Sequence, residues 1–380
     1  MPFAAALSEH PLPTHAVGEV VGEVLEALGP APDVALLFVG AAHTGAVEDI
    51  AGAVRSLLGP RVFVACTAGT VIGAEREVED LPSLSLWAAR LPYVTAHHLD
   101  AIPSPDGWAT TGLPGADALA GIDALVVVTD PFSFPIAELL DDLQRQVPPG
   151  VPIVGGQASA ALGPGGNRLV VDGEVHTSGA VIVALGGVGV ATLVSQGCRP
   201  IGEPMVVTRG RGSLIEELAG RSALERVQET VDALDPDDAQ RARQGLHVGR
   251  VIDERKVTYE RGDFLVRGLR GADRRTGAIA VDDELEIGAT VQLQVRDADA
   301  AHEDLEHLLA GRQADTALVF TCNGRGMHLF GTPDHDASII TEFTGSGATA
   351  GMFCAGEIGP IGGQTFLHGF TASIALFRDR

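Results

Sequence analysis

Lysine is almost missing from this chain: it stands once in 380 residues, at Lys256, and arginine carries the remaining basic charge. A G-K-[ST] phosphate loop is therefore excluded, and Schiff-base chemistry would rest on that one side chain. Tryptophan and tyrosine occur twice each, so backbone geometry matters more here than aromatic platforms. Basic residues are also outnumbered, 26 against 50 acidic, which gives a net charge of −24. Such a surface repels phosphate backbones and excludes nucleic acid as a partner, while favouring solubility. The four cysteines, at 66, 198, 322 and 354, show no C-x-x-C spacing. With a Met-Pro-Phe start that lacks a basic and apolar leader, they point to reduced thiols in the cytoplasm. No apolar run is long enough for a membrane: the uncharged stretch 179–194 is broken by glycines and reads as two buried strands around a Gly-Gly turn.

What the chain does have is glycine, 48 residues of it, in a background that is 45% hydrophobic. That composition and length describe a globular protein with room for two domains and many tight strand-to-loop turns. A repeated order runs along it. Residues 14–28 read as a helix behind a Thr14 cap, 34–40 as a fully buried strand, 47–58 as a helix, and 61–69 and 83–91 as strands. The order returns as strand 124–130, helix 135–147, strand 151–159 and strand 179–185. It returns again as strand 316–326, helix 336–343, strand 350–359 and strand 370–377. The fold class is thus α/β (α+β), with repeated β-α-β-β units forming mixed sheets. Between the second and third copies, 196–300 differs: short alternating strands surround one or two helices at 213–234, a charged link at 234–245 and a returning helix at 299–310, which reads as a mostly antiparallel region.

In each copy the second strand runs into small residues: "CTAGTVIG", "GGQASAALG" and "CAGEIGPIGG". Ligands gather outside the carboxyl ends of strands in such sheets, so the three mouths are expected to line one or two clefts. The alternative is that they are only glycine turns into hairpins. The stretches "SQGCRPIGEPMVVT" (195–208) and "FTCNGRG…LFGTPDHD…GMFCAGEIGPIGGQTFLHGFTASIALF" (320–377) resemble the FIST proteins over nearly the whole chain. The resemblance implies a FIST N-like domain over 1–195 and a FIST C-like domain over 196–380, the latter made of an antiparallel part (196–300) and the third repeat (301–380). It implies a small-ligand-binding sensory module, with amino acids among the ligands. No kinase, cyclase or F-box segment fits in the remainder, so signal output would need a protein partner; the oligomeric state stays open.

Glu357 sits among glycines, where a carboxylate can accept hydrogen bonds from an ammonium or guanidinium group. Arg325, in "CNGRG", is its candidate mate, since a planar fork suits a ligand carboxylate. The two would grip a small zwitterion, or they would simply pair with each other. Around them the expected ligand wall comprises Cys322, Asn323, Gly324, Gly326, Cys354, Gly356, Gly359 and His368. The first two copies add Cys66, Thr67, Gly69, Asp130, Ser133, Gln157 and Ser159, for which loop-structural roles are the alternative. If the protein is instead an enzyme, Cys322 is the nucleophile and His368 or Glu357 the proton acceptor; the other alternative is an interaction scaffold whose grooves accept a protein partner. No serine-hydrolase elbow or dinucleotide fingerprint occurs, and "HEDLEH" (302–307) misses the H-E-x-x-H order, so no cofactor and no metal are expected. "DHD" at 334–336 reads as a cap for the following helix.

Overall fold

The computed structural model describes residues 2–105 and 107–380. These fall into two compact units, one of residues 1–194, 305–367 and 371–380, the other of 195–304 and 368–370. The third repeat therefore belongs to the same compact unit as the first two, and the units cut across the contiguous boundary expected at 195/196.

The first unit begins with β1 (Phe3–Ser8) and α1 (Pro13–Leu28), followed by the first repeat: β2 (Val34–Gly40), α2 (Val47–Leu58), β3 (Val62–Ala68), the short pair β4 (Val71–Gly73) and β5 (Arg76–Val78), and β6 (Leu84–Ala89). The second comprises β7 (Tyr93–Ser104), β8 (Gly107–Thr111), α3 (Ala116–Leu119), β9 (Ala124–Thr129), α4 (Ile136–Gln146), β10 (Ile153–Gln157), the pair β11 (Leu169–Val171) and β12 (Glu174–His176), and β13 (Ala180–Gly186). The chain then passes through β14 (Gly189–Gln196) into the second unit. There it forms β15 (Cys198–Arg211), β16 (Leu214–Leu218), β17 (Arg221–Ser222), α5 (Ala223–Asp232), α6 (Pro236–Gln244), β18 (Leu246–Val251), β19 (Phe264–Asp273), β20 (Ala278–Val281) and β21 (Thr290–Arg296). After α7 (Ala298–Leu309) the third repeat follows: β22 (Thr316–Cys322), α8 (Met327–Phe330), α9 (His335–Thr344), β23 (Thr349–Cys354), β24 (Glu357–Ile361), β25 (Gln364–His368) and β26 (Thr371–Arg378).

The three repeats are built alike. In each, two parallel strands joined through a helix are flanked by an antiparallel closing strand: β6-β2-β3, β13-β9-β10 and β26-β22-β23. The short hairpins are exchanged. β4–β5 of the first repeat extends the sheet of the third, β24–β25 of the third extends that of the second, and β11–β12 of the second extends that of the first. Each hairpin thus satisfies the open edge of another repeat's second strand, which would otherwise expose unpaired backbone groups. The inner faces of all three sheets meet in one apolar cluster that includes Phe38, Cys66, Val126, Val128, Phe320 and Met352. The outer faces are covered separately by α1 and α2, by α4, and by α7 and α9.

The second unit is an antiparallel sheet in the order β15-β21-β18-β19-β20-β16, with β16 also pairing to β15, so the sheet closes on itself around a core that includes Ile201, Val248, Val291 and Leu293. Closure removes the edges that short alternating strands would leave open.

Several local expectations are corrected. Helix α1 starts at Pro13 with no side-chain cap from Thr14, because proline at the first turn needs no N–H partner. The charged link is helix α6, capped by the Asp235 carboxylate accepting from the N–H groups of Asp237 and Asp238. The stretch 213–222 holds two short strands, Leu214–Leu218 and Arg221–Ser222, joined by a turn, rather than helix. The strand expected over 350–359 breaks at Cys354, and Glu357 opens a new strand paired to β10 instead.

Candidate functional site

The exchanged hairpins have matching registers, and these show what is unusual about Glu357. In the parallel pairs, Phe38 stands beside Cys66, Val128 beside Gly156 and Phe320 beside Met352. Opposite those second-strand residues the visiting hairpins place Leu169 against Cys66, Glu357 against Gly156 and Val71 against Met352. Leu169 and Val71 lie in the central apolar cluster. Glu357 therefore occupies a core position at which the other two repeats carry a branched aliphatic residue, and it is fully buried, at 0% exposure.

A carboxyl group in that place must be hydrogen-bonded or neutral. One oxygen, Oε2, accepts from the Thr371 backbone N–H (3.1 Å) and from its hydroxyl (2.8 Å). Apart from the Cys322 thiol, which donates weakly to this carboxyl group, Oε1 has no partner among the described residues. Burial pushes the Glu357 pKa up to about 8, against the opposing pull of Thr371, of the Arg325 charge and of Cys322. The group is thus mainly protonated near neutral pH, a donor rather than the charged acceptor expected for an ammonium ligand.

Arg325 is buried as well, and it pairs neither with Glu357 nor with an open cleft. Its guanidinium grips Asp336 at the start of α9 through Nε to Oδ2 (2.7 Å) and Nη2 to Oδ1 (2.8 Å). Asp336 therefore does not cap its helix: the N-cap position is Asp334, whose side chain bonds the Glu77 N–H instead. The Arg325 charge and a bond from His335 hold Asp336 well below the usual carboxylate range despite burial. Arg325 also lies over the Phe330 ring, 5.2 Å from its centre, which leaves Nη1 buried and without a partner. Glu77, reached by β5, accepts from the Ala337 N–H and is pushed up to about 8 by burial and by Asp336, with Oε2 unpartnered. One guanidinium thus faces one ionised and two protonated carboxyl groups.

The strand mouths do come together. The Ser159 hydroxyl accepts from the Gly69 N–H (3.0 Å) and donates to the Phe353 carbonyl (2.6 Å), which ties all three repeats at one point. The Asn323 N–H bonds the Cys354 carbonyl, and Gln157 and Gly356 are joined through the Gln157 N–H. A side chain at Gly356 would meet Gln157 Oε1 at 2.6 Å, and one at Gly359 would meet Ser373 Oγ at 2.5 Å, so both glycines answer to packing. Gly326, at φ +57°, lets the following N–H of Met327 reach Glu79 Oε1. The Gly324 N–H points at the half-buried Cys322 sulfur, 3.4 Å away.

Other expected wall residues are internal pins. The Thr67 hydroxyl accepts from the Arg168 N–H. Asp130 is buried, accepting from Ser133 Oγ and Asn167 Nδ2. Cys66 is a buried filler against Met352, its thiol pushed far up by burial. Cys354 is buried beside Gly156 and also raised. His368 closes β25 as a buried residue. Asp336, Glu77 and Thr371 were not among the expected site residues. Asp336 carried the polar signal of a cap, and Thr371 carried none. Elsewhere, a cavity of about 770 Å³ opens at the amino ends of β9 and β10, lined by residues including Asp123, Gln144, Pro149, Thr365 and Arg380.

Family models for the FIST N domain and the FIST C domain match residues 33–221 and 223–360. The chain belongs to the FIST family. Similar curated proteins include the uncharacterized protein Rv0628c of Mycobacterium tuberculosis, 41% identical over the full length of both chains. The uncharacterized protein Mb0898c of Mycobacterium bovis is 42% identical over 95% of each. FIST domains are linked to small-ligand sensing in signalling. Among the described residues no helix is long and apolar enough to cross a membrane.

Proposed function

We propose that this FIST protein is a sensor of a small metabolite, an amino acid or similar compound, recognised where the strand mouths of the three repeats meet. The observation that supports the reading most is the carboxyl group of Glu357 in a position the other repeats fill with Val71 and Leu169. A buried polar atom that the chain serves only with the weak Cys322 thiol calls for a stronger partner. Protonated Oε1 of Glu357 and Nη1 of Arg325 are both donors, so the ligand group they would receive is a carboxylate or carbonyl oxygen. Asp336 fixes the guanidinium plane for that task without cancelling its remaining N–H groups. Output passes through a separate protein in the cytoplasm, in keeping with the reduced state of all four cysteines.

A thermal-shift screen of amino acids and small carboxylates tests this, because a ligand raises the melting point in proportion to ln(1 + concentration/Kd). A stabilising compound whose effect disappears in Glu357→Leu supports the site; a hit that is unchanged in that variant places binding elsewhere and refutes it. A second reading, cysteine-dependent chemistry at Cys322, is favoured by the Glu357 carboxyl group that meets its thiol. Turnover of a compound, abolished in Cys322→Ala, would distinguish it.

A further inference from the structure

We propose that Cys322 and Cys354 are a redox-active pair, in which a hydroperoxide oxidises Cys322 and Cys354 resolves it into an intrachain disulfide. The two residues stand directly abreast in the parallel ladder of β22 and β23. Residues abreast in such a ladder point to the same face of the sheet, and the alternation along these strands, Leu318 and Phe320 beside Ala350 and Met352, makes it the inner face. Neighbouring strands lie about 4.8 Å apart, within the Cα separation of about 4.4–6.8 Å that a disulfide requires. Both cysteines are reduced in the structure.

The pair is divided in the way that a peroxidatic and a resolving thiol need. Cys322 ends its strand half-buried, beside the exposed Asn323, whereas Cys354 is sealed inside. Packing does not demand two thiols here. The first repeat has Gly40 beside Ala68 at the corresponding place, and the second has Asp130 and Ala158 one step beyond Thr129 and Gln157. Gly156 gives the Cys354 sulfur its space, since a Cβ there would lie 2.2 Å from it. The Glu357 carboxyl group interacts with both sulfurs.

In the first step the Cys322 thiolate attacks the outer peroxide oxygen, the O–O bond breaks, and an alcohol leaves with a proton while Cys322 becomes a sulfenic acid. In the second, the Cys354 sulfur attacks that of Cys322 and its proton passes to the hydroxide released, which leaves as water. Two thiols and one hydroperoxide thus yield one disulfide, one alcohol and one water. This chemistry needs no bound metabolite, so its test is independent of the ligand-binding reading.

Hydrogen peroxide is the probe. After exposure of the folded chain, unfolding and alkylation, trypsin separates the cysteines at Arg325, since no Lys or Arg stands from 326 to 377. The expected product is peptide 313–325 joined to peptide 326–378, restored by dithiothreitol, with Cys66 and Cys198 still alkylated. In Cys354→Ser the Cys322 sulfenic acid should persist and be trapped by dimedone; in Cys322→Ser, Cys354 should remain fully alkylated. The proposal is overturned if wild-type Cys322 proceeds to sulfinic acid while Cys354 stays alkylated, if neither is oxidised, or if the joined peptides contain another cysteine.

Discussion

The protonated state of Glu357 has a thermodynamic signature that can be isolated by one substitution. In the folded chain this group holds its proton to about pH 8, whereas an ordinary glutamate releases it near 4.5. Between those values the folded state binds more protons than the unfolded state, so stability falls as pH rises. Each pH unit costs about 1.4 kcal/mol while the gap lasts, and the whole interval therefore withdraws about 5 kcal/mol by pH 8. Below the unfolded value the contribution is fully present, and above the folded value the loss levels off. Glu357→Gln keeps the shape and removes the titration: its carbonyl oxygen can still accept from the Thr371 N–H and hydroxyl. Stability near pH 5 should be similar in the two chains, and the variant should gain steadily until it is several kcal/mol more stable at pH 8. Urea denaturation from pH 5 to 9, followed by the fluorescence of Trp87 in the central core of the same unit, measures the difference. Glu77, also raised to about 8, adds a slope of the same sign to both chains and cancels. Parallel curves, or a variant that is less stable at pH 8, would show that Glu357 is ionised when buried and would refute the reasoning.

Three further outcomes can be checked by denaturation. Arg325→Met strands the buried Asp336 carboxylate and should cost about 3–5 kcal/mol; Asp336→Leu added to it should recover much of that loss, as the acid no longer needs a partner. Gly351→Ala should cost about 3 kcal/mol, because its Cβ would lie 2.0 Å from the Val319 carbonyl oxygen, where two strand backbones must part. Gly18→Ala and Gly22→Ala, inside α1 with nothing within 4 Å of the added carbon, should each instead gain about 1 kcal/mol.

The repeat was legible because it is carried by local patterns. The buried run 34–40 and the helix 47–58 are bounded in the structure as their apolar spacing requires, since both faces of the strand and one face of the helix meet cores. The exchange of hairpins was not legible. β4, β5, β11 and β12 are three residues each, too short to carry a period, and their partners are chosen by which sheet edge lies open rather than by any local signal. Helix α6 was hidden because it buries no residue, although Asp235 followed by Pro236 is a start signal. At the site, the glycine setting of Glu357 and the convergence of Cys322, Asn323 and Ser159 were readable from the strand-mouth rule. The partner of Arg325 was not: the helix turn that brings Asp336 to it lies outside any strand mouth.

The hairpin exchange also explains why a carboxyl group can occupy the centre of this unit without unravelling it. Glu357 is the first residue of a strand whose ladder is anchored on β10 of another repeat through Gly155 and Gly156, so its place is fixed by backbone pairing rather than by the affinity of its side chain for the core. Were the hairpin to pair within its own repeat, the acid could turn outward at little cost. Held from two sides, it must instead be neutralised in place, and Thr371 supplies both bonds from the strand that closes the same repeat. A leucine at this position, as at 169, would avoid the desolvation cost altogether and make the unit more stable above pH 5. A chain that forgoes that gain at one of three equivalent positions, and sets a partly exposed thiol next to it, carries a local conflict between stability and composition, which the ligand-binding proposal accounts for.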